Sequence, residues 1–451
     1  MQGNAVALYS EPRKETTILA DSMSRNRHEQ GVQGFDGNPA EGGATNRMMS
    51  RRKAVAGGAL GIFSAAFLSA CSNDSGNSGS SQSASSSSSS GSASAKPFEP
   101  KVTVTPAADA QEVNPVAPVT VTTQQGKMSK VSVEGGNDPV KGNISEDGLT
   151  WTSEGPLDFD TSYTVKYTVT EGKSSKDGES TFTTVVAANE ADAKINVQQG
   201  KTYGTGQVIE FNFSEPVVNR AEIEKAIAVT GGGMGPGRFR WYKDTMVRYR
   251  PEDLWAPNSE ITIEANLLGK DLGNGQIGNQ NYQVTFKTGD KHYAYVDNNT
   301  KKMTMYVNDR KVREALVTLG DPEWPSVTGK LVIMEQSKKY KFDASTLGIK
   351  KGDPHWYETF EATNTNRLTS SGAFVHQAEP SAYAYVGVAN ISHGCIGLLP
   401  DDAEYFFDTF MVGDVVETEN TGYGQADPDN GYGDWNIPWE HYTDTKWKGN
   451  W

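Results

Sequence analysis

One cysteine and two histidines have the residue types and the spacing for covalent catalysis. His376 ends the run Gly-Ala-Phe-Val-His, and His393 and Cys395 lie within Asn-Ile-Ser-His-Gly-Cys-Ile-Gly. A thiol is mostly protonated near neutral pH, and a neighbouring imidazole can take its proton and leave a nucleophilic thiolate. A carbonyl or carboxylate must then hold the tautomer of that base. The amides of His393, Gly394 and Cys395 could receive an oxyanion, because Gly394 lets the backbone approach a substrate closely. This pattern predicts acyl transfer by a cysteine nucleophile.

The cysteine count limits the alternatives. The chain has two cysteines, Cys71 and Cys395, which excludes a disulfide-rich scaffold. An unpaired thiol in an oxidising exterior is a liability unless the protein uses it. His376, His393 and Cys395 are zinc-ligand types, but no fourth ligand is evident in the sequence. We therefore predict no metal and no cofactor.

Length and charge set broader limits. The 451 residues are too many for one ordinary domain and suggest about three. Asp and Glu total 56 against 42 Lys and Arg, which gives a net charge of −14. This acidity argues against nucleic acid as a partner, because phosphate binding needs clustered Lys and Arg.

The N-terminal part carries signals for export. Residues 1–47 are polar and lack apolar periodicity, which predicts either a disordered extension or a stretch upstream of the true start at Met48 or Met49. Residues 48–71 join a basic segment to a short apolar run that ends in Leu-Ser-Ala-Cys71. This ending resembles a bacterial lipobox, which implies lipidation of Cys71 and a membrane anchor. The Ser-rich residues 72–99 predict a flexible tether. Twin-arginine and general export both stay open.

Two β-rich stretches of similar design follow. In residues 100–190 and again in 191–289, short runs alternate apolar and polar residues with period two between Gly-rich turns. The predicted fold is mainly β, with two tandem immunoglobulin-like β-sandwiches. We interpret these modules as spacers, and ligand binding through an exposed Trp241 or Trp255 is the alternative. Residues 290–418 form a third, β-rich domain, and residues 419–451 form an aromatic C-terminal extension.

The candidate catalytic residues resemble those of a known family. Val375-His376, a spacer of fifteen residues and Ser392-His393-Gly394-Cys395 are similar to the signature of L,D-transpeptidases with a YkuD-type catalytic domain. The two modules ahead of that domain, and the segment Gly-Asp-Trp-Asn-Ile-Pro-Trp439, are similar to the mycobacterial and corynebacterial type. The resemblance covers about residues 100–451 and implies a YkuD-type fold for residues 290–418.

The resemblance assigns roles by position. It makes Cys395 the nucleophile and His376 its base. His393 and Gly394 would shape the site and its oxyanion pocket, and Ser392 would support them by hydrogen bonding.

Four further positions correspond to substrate-binding positions of the family. Tyr357 matches an aromatic residue of the lid over the substrate, and Phe342 stands in the pocket wall where relatives often carry Met. Two positions depart from the pattern: Gln377 follows the base where Ser is common, and Gly397 stands where Asn is usual. Gly397 implies a lost polar contact to substrate or loop. Gln377 is tolerable if its backbone carbonyl orients the base.

The resemblance also implies a reaction, partners and a location. Cys395 would attack the third residue of a peptidoglycan stem peptide, release D-Ala, form a thioester and pass the acyl group to a second stem as a 3→3 crosslink. Water as acceptor would make the enzyme an L,D-carboxypeptidase. Carbapenems are expected to capture the cysteine. The protein would be exported and lipid-anchored at Cys71, facing the cell wall or periplasm.

Two other classes of function remain alternatives. Gly397 leaves open a catalytically degenerate, wall-binding lipoprotein. A sortase-like transpeptidase acting on proteins is expected to carry an arginine near its nucleophile, and none lies close to Cys395 in sequence.

The extension is rich in aromatic residues. They predict either stacking on sugars or, as we prefer, docking of the extension onto the catalytic domain, because exposed rings would form a large apolar patch. These residues are Tyr423, Tyr432, Trp435, Trp439, Tyr442, Trp447 and Trp451.

Overall fold

Strands make up most of the regular structure, and the mainly β fold predicted from the sequence is confirmed. The computed structural model describes residues 97–233, 235–353, 356–449 and 451. Their buried apolar side chains form three separate clusters, one in each predicted domain. The predicted export signal, the lipidation site Cys71 and residues 72–96 of the tether lie outside the described residues. Within the described part of the chain, no helix is long and apolar enough to span a bilayer.

The first immunoglobulin-like module has eight strands. They are β1 (Val102–Thr105), β2 (Ala110–Val113), β3 (Thr120–Thr123), β4 (Lys127–Glu134), β5 (Gly142–Ile144), β6 (Thr150–Ser153), β7 (Ser162–Glu171) and β8 (Ser174–Thr184). Two four-stranded sheets have the orders β1-β3-β6-β5 and β2-β8-β7-β4. Alternate residues of β7, such as Tyr163 and Val165, are buried in the core with Trp151 and Phe182. This is the period-two pattern of a half-buried strand.

The second module, called module 2 below, repeats this design. Its elements are β9 (Glu190–Ala191), β10 (Ala193–Ile195), β11 (Thr202–Tyr203), β12 (Ile209–Phe213), helix α1 (Arg220–Lys225), β13 (Ile227–Gly231), β14 (Arg238–Lys243), β15 (Met246–Arg250), β16 (Glu260–Ala265), β17 (Asp271–Gly273), β18 (Gln276–Gly278) and β19 (Tyr282–Thr288). The two main sheets have the orders β10-β12-β15-β14 and β11-β19-β16-β13, and β17, β18 and β9 form a small third sheet.

Both tryptophans considered as ligand-binding residues are buried in module 2. Trp241 is 7% exposed and Trp255 is 3% exposed. Their indole nitrogens donate to Glu224 Oε1 and to the Gln207 carbonyl, both at 2.7 Å. The hypothesis that exposed rings at these positions bind a ligand is therefore wrong, because core packing occupies both.

The third domain, which the resemblance implies is the catalytic domain and which is called so below, is built on one nine-stranded sheet. Its elements are β20 (His292–Asp297), β21 (Lys302–Val307), β22 (Arg310–Thr318), β23 (Gly329–Val332), β24 (Glu335–Phe342), β25 (Phe360–Arg367), β26 (Phe374–Gln377), β27 (Ile396–Leu398), helix α2 (Pro400–Thr409) and β28 (Val415–Glu419). The strand order is β23-β28-β20-β21-β22-β27-β26-β25-β24. Helix α2 buries Ala403 and Phe406 in the core of this domain. Short 3-10 helices occur at Ala187–Asn189, Ala344–Leu347, Pro380–Tyr385, Asp434–Asn436 and Trp439–His441.

The C-terminal extension lies between module 2 and the catalytic domain. Asn436 exchanges two hydrogen bonds with the backbone of Lys330, both at 2.8 Å. On the other side, the Arg250 guanidinium lies 4.7 Å from the ring centroid of Trp435 and 4.4 Å from that of Tyr442. The extension therefore contacts the catalytic domain through Asn436, whereas the rings of Trp435 and Tyr442 stack on Arg250 of module 2 and not on the domain for which aromatic docking was predicted. Its docking onto module 2 was not predicted.

Arg248 of β15 joins module 2 to the extension through buried bonds. Its Nε donates to Glu210 Oε2 at 2.7 Å, and its Nη1 donates to Asp434 Oδ2 at 3.0 Å. Nη1 also donates to the carbonyls of Pro428 and Gly431, both at 2.8 Å. The Arg248 side chain is 5% exposed and that of Asp434 is fully buried. A buried carboxylate depends on such a partner, because burying a lone charge is costly.

Replacing Arg248 with Leu is expected to lower the free energy of unfolding by about 3–5 kcal/mol, because Asp434 and Glu210 would lose their buried cation. Chemical denaturation followed by tryptophan fluorescence measures this change. Lys225→Gln is the control, because it breaks only an exposed ion pair with Glu222 and should leave the transition in place. An Arg248→Leu variant as stable as the parent would contradict the buried-charge argument.

Candidate active site

The pairing of two strands brings the predicted nucleophile and base together. Strand β26 carries His376 and runs parallel to β27, with His376 opposite Gly397 and Val375 opposite Ile396. Cys395 directly precedes β27. Parallel neighbours need a crossover connection, and the spacer, which includes the 3-10 helix Pro380–Tyr385, supplies it. The spacing between histidine and cysteine is thus the length of this crossover.

His376 has the tautomer that a general base needs. Its Nδ1 lies 2.7 Å from the backbone carbonyl of Gln377. A carbonyl can only accept a hydrogen bond, so Nδ1 carries the proton of the neutral ring and Nε2 keeps its lone pair. His376 is 8% exposed, and burial lowers its pKa below the usual value. The imidazole is therefore neutral near pH 7 and ready to accept a proton.

Cys395 is a free, buried thiol with two backbone neighbours. Its Sγ donates to the Gly372 carbonyl at 3.8 Å, and a hydrogen bond from the Phe374 backbone favours the thiolate. The thiol is 9% exposed. Burial dominates these effects and raises the pKa of Cys395 to about 11. In this structure the predicted nucleophile and the predicted base are therefore both neutral near pH 7.

The motif loop is closed by hydrogen bonds from serine side chains. Ser392 Oγ donates to the Cys395 carbonyl at 2.6 Å and accepts from the Gly394 amide at 3.3 Å. Gly394 has φ +106°, a left-handed conformation that favours glycine. Ser326 Oγ donates to the Gly394 carbonyl at 3.0 Å. Of the three amides predicted to receive an oxyanion, that of Gly394 is thus directed at Ser392.

Aromatic rings surround both histidines. The Phe342 ring lies 5.4 Å from that of His376, between centroids. His393 lies between Tyr357 at 5.2 Å and Trp324 at 5.8 Å. Burial, and then the charge of Cys395, raise the pKa of Tyr357 to about 12, so this phenol stays neutral beside the nucleophile. The structure therefore places Phe342 beside His376 and Tyr357 beside His393, and their roles as pocket-wall and lid residues stay predictions.

The two departures from the family pattern have different settings. Gln377 Nε2 donates to the Tyr383 hydroxyl at 3.2 Å, while its carbonyl orients His376. Gly397 is buried within β27. A Cβ at Gly397 would lie 2.9 Å from Thr318 Cγ2 and 3.3 Å from Ala378 Cβ. The neighbours of Gly397 are thus packed against its backbone, which gives a physical reason for glycine here. Its predicted substrate contact stays a prediction.

Ser326 and Trp324 are site residues that the sequence reasoning missed. Both belong to the loop between β22 and β23, which reaches the motif loop through a bridge between Gly320 and Ser392. The distance along the chain does not connect this loop to the motif. Its run Trp-Pro-Ser was the signal from which these residues could have been found. Among the described residues, no group of three or more His, Cys, Asp or Glu side chains could hold a metal ion.

Comparisons with known proteins agree with this geometry. A family described as "L,D-transpeptidase catalytic domain" matches residues 291–418, and one described as "Bacterial Ig domain" matches residues 110–271. L,D-transpeptidase 2 of Mycobacterium tuberculosis is 33% identical over 71% of this chain and 79% of its own length. This chain belongs to the L,D-transpeptidase family. Its catalytic domain is therefore that of an acyltransferase.

Other members of the family are more distant. L,D-transpeptidase 1 of Mycobacterium tuberculosis is 28% identical over 50% of this chain and 83% of its own length. A solved structure titled as LdtMt1 in complex with imipenem is 27% identical, with a TM-score of 0.44 over 50% of this chain and 97% of that chain. An L,D-transpeptidase structure from Mycobacterium smegmatis is 26% identical, with a TM-score of 0.43 over 51% of this chain and 99% of that chain.

The neutral state of the transpeptidase thiol predicts slow alkylation. With a pKa of about 11, Cys395 in a Cys71→Ser chain should react with iodoacetamide at pH 7 about a hundredfold more slowly than an ordinary thiol. Because only the thiolate reacts, the rate should rise about tenfold per pH unit from pH 8 to 10. Intact mass measured over time gives the rates. The same chain in denaturant is the control and should react as an ordinary cysteine. A plateau of the native rate from pH 7 to 8 would show a thiolate already formed.

The packing at Gly397 predicts the effect of restoring asparagine. Gly397→Asn should lower the free energy of unfolding by about 1–3 kcal/mol, because the new side chain overfills the space against Thr318. Thr318→Ser removes Cγ2 but keeps the hydroxyl that donates to the Ala389 carbonyl. The double variant should recover part of the loss in denaturant unfolding. If Gly397→Asn and the double variant are equally stable, the contact with Thr318 is not what excludes asparagine.

Proposed function

We propose that this transpeptidase forms 3→3 crosslinks in peptidoglycan through a thioester on Cys395. The donor is a tetrapeptide stem, and its third residue is a diamino acid attacked at the carbonyl of its L-centre. D-Ala leaves, and the side-chain amine of a second stem is the acceptor. One observation carries the proposal: the parallel pairing of β26 and β27 places a free cysteine beside a histidine whose Nδ1 is bound by the Gln377 carbonyl.

Acylation follows from the neutral state of the pair. As Sγ of Cys395 bonds to the substrate carbonyl carbon, its proton passes to Nε2 of His376, and the carbonyl oxygen becomes an oxyanion. Burial disfavours a resting pair of thiolate and imidazolium, so the proton moves as the bond between sulfur and carbon forms. Collapse of the tetrahedral intermediate breaks the bond to D-Ala, and the imidazolium returns the proton to the leaving amine. The thioester then holds the acyl group.

Deacylation reverses these roles. The amine of the second stem attacks the thioester carbon, His376 takes the amine proton, and the Cys395 thiolate leaves. The thiolate then recovers its proton from the imidazolium. Water in place of the amine would give an L,D-carboxypeptidase product instead, and only product analysis separates the two outcomes.

Capture by carbapenems follows from the same nucleophile. A β-lactam carbonyl takes the place of the stem carbonyl, and ring opening leaves an acyl-enzyme with the mass of the whole inhibitor. The relative whose structure is titled as a complex with imipenem supports carbapenems as probes for this chain.

The location is part of the proposal. The apolar run before Leu-Ser-Ala-Cys71 supports export, lipidation of Cys71 and attachment to the membrane. The Ser-rich residues that follow would then separate the folded modules from the bilayer and let the active site reach stem peptides in the wall.

The test combines inhibitor and substrate. Incubation of a Cys71→Ser chain with a carbapenem should add one inhibitor mass, and Cys395→Ala should add none. A disaccharide-tetrapeptide should then give a crosslinked dimer with loss of one D-Ala, as measured by mass spectrometry. Unmodified protein in both samples would overturn the proposal and favour a degenerate wall-binding lipoprotein. An adduct with only tripeptide as product would assign the carboxypeptidase reaction.

A further inference from the structure

We propose that Arg367 is a positioning residue for Cys395: it holds the turn that presents the Gly372 carbonyl to the sulfur and places a positive charge beside the nucleophile. This inference rests on the proposed function, in which Cys395 is the acylated residue.

Arg367 lies at the end of β25, where its backbone pairs with Phe374 at the start of β26. Its guanidinium lies 4.7 Å from the centroid of the Phe374 ring, and its Nη2 donates to the Tyr340 hydroxyl at 2.7 Å. Nη1 donates to the carbonyls of Thr369 and Ser370, at 3.3 and 3.4 Å. A planar group with several donors suits this combination of ring contact and divergent acceptors.

The carbonyls that Arg367 binds belong to the turn that contacts the nucleophile. The amide of Gly372 donates to the Thr369 carbonyl at 3.2 Å, and the amide of Ala373 donates to Thr369 Oγ1 at 2.8 Å. Gly372 has φ +99°, which favours glycine, and its carbonyl accepts from Cys395 Sγ. The turn residue Thr369 thus joins Arg367 to the group that orients the thiol.

The charge of Arg367 acts on the same sulfur. Its side chain is 19% exposed, and its carboxylate partner Glu335 lies 3.5 Å away with 57% of its side chain exposed. Solvent screens the attraction between Arg367 and Glu335 more than it screens the effect of the Arg367 charge on Cys395. The positive charge of Arg367 lowers the pKa of Cys395 and opposes part of the effect of burial. Arg367 ends β25 and Cys395 directly precedes β27, so proximity along the chain does not reveal this arginine.

If its role were only structural, Arg367 would do no more than support the side chains of Tyr340 and Phe374. Charge and hydrogen-bond geometry separate the two roles. Arg367→Gln removes the charge, Arg367→Lys keeps the charge but not the planar donor set, and Tyr340→Phe removes one hydrogen bond and keeps the charge. Glu335→Gln leaves Arg367 in place and removes the carboxylate that partly neutralises it. Glu335 is exposed, so this variant is expected to fold.

Each variant is made in the full Cys71→Ser chain and measured in two ways. Intact mass gives the rate of carbapenem acylation, and iodoacetamide alkylation at several pH values gives the titration of the thiol. We expect Arg367→Gln to acylate about tenfold more slowly, with its alkylation profile shifted to higher pH by about one unit. Arg367→Lys and Tyr340→Phe should keep the parent profile, and Arg367→Lys should recover only part of the acylation rate. Glu335→Gln should shift the profile to lower pH.

The outcomes separate this inference from the proposed function. If the parent chain forms no carbapenem adduct, the proposed function fails. If the parent is acylated but folded Arg367→Gln keeps the parent profile and rate, only the role of Arg367 is overturned. If Arg367→Gln does not fold, Glu335→Gln decides, and an unshifted profile for it overturns the inference. If Arg367→Lys shows the same shift of the alkylation profile and the same decrease in acylation rate as Arg367→Gln, the role of Arg367 is purely structural.

Discussion

The active site depends on the parallel pairing of two short strands, β26 and β27. The register that places His376 opposite Gly397 and Val375 opposite Ile396 also fixes where Cys395, the residue before Ile396, lies relative to His376. A shift by one residue would turn every side chain of a strand to the opposite face of the sheet. The buried neighbours Val375 and Ile396 resist such a shift, because it would move them out of the core. The apolar residues of the motif therefore maintain the geometry on which its polar residues act.

Burial gives this site a particular electrostatic character. An exposed thiol–imidazole pair can rest as an ion pair. Here burial raises the pKa of Cys395 and lowers that of His376, so both groups rest in their neutral forms. In the proposed mechanism, charge develops only when a substrate carbonyl accepts electrons from sulfur. Such a resting state limits side reactions of the thiol with oxidants, since these also require the thiolate.

Features with a local pattern in the sequence could be predicted, and features that depend on the pairing of distant strands could not. The strands and the three domains follow from local alternation, and the proximity of His376 and Cys395 follows from a spacing that fits one crossover. Ser326, Trp324 and Arg367 come from other loops and strands, so only the sheet order of β22, β25 and β26 brings them to the motif. The opposition of Gly397 and Thr318 is likewise a property of pairing between β22 and β27. The arginines of β14 and β15 do alternate in the sequence, as Arg-Phe-Arg and Arg-Tyr-Arg, but that pattern did not identify their partners.

The link between Arg248 and Asp434 also bears on the order in which the protein folds. These residues are 186 positions apart, and the whole catalytic domain lies between them. Module 2 can form its own sandwich from local contacts, but its arginine-bearing face stays open until the segment around Asp434 has been made and has folded back. Contacts across such separations form late, since loop closure must precede them. The interface can therefore be completed only after the whole catalytic domain has been synthesised. A chain that stopped short of Asp434 would leave this face uncovered, with Arg248 still paired to Glu210 but without its second carboxylate.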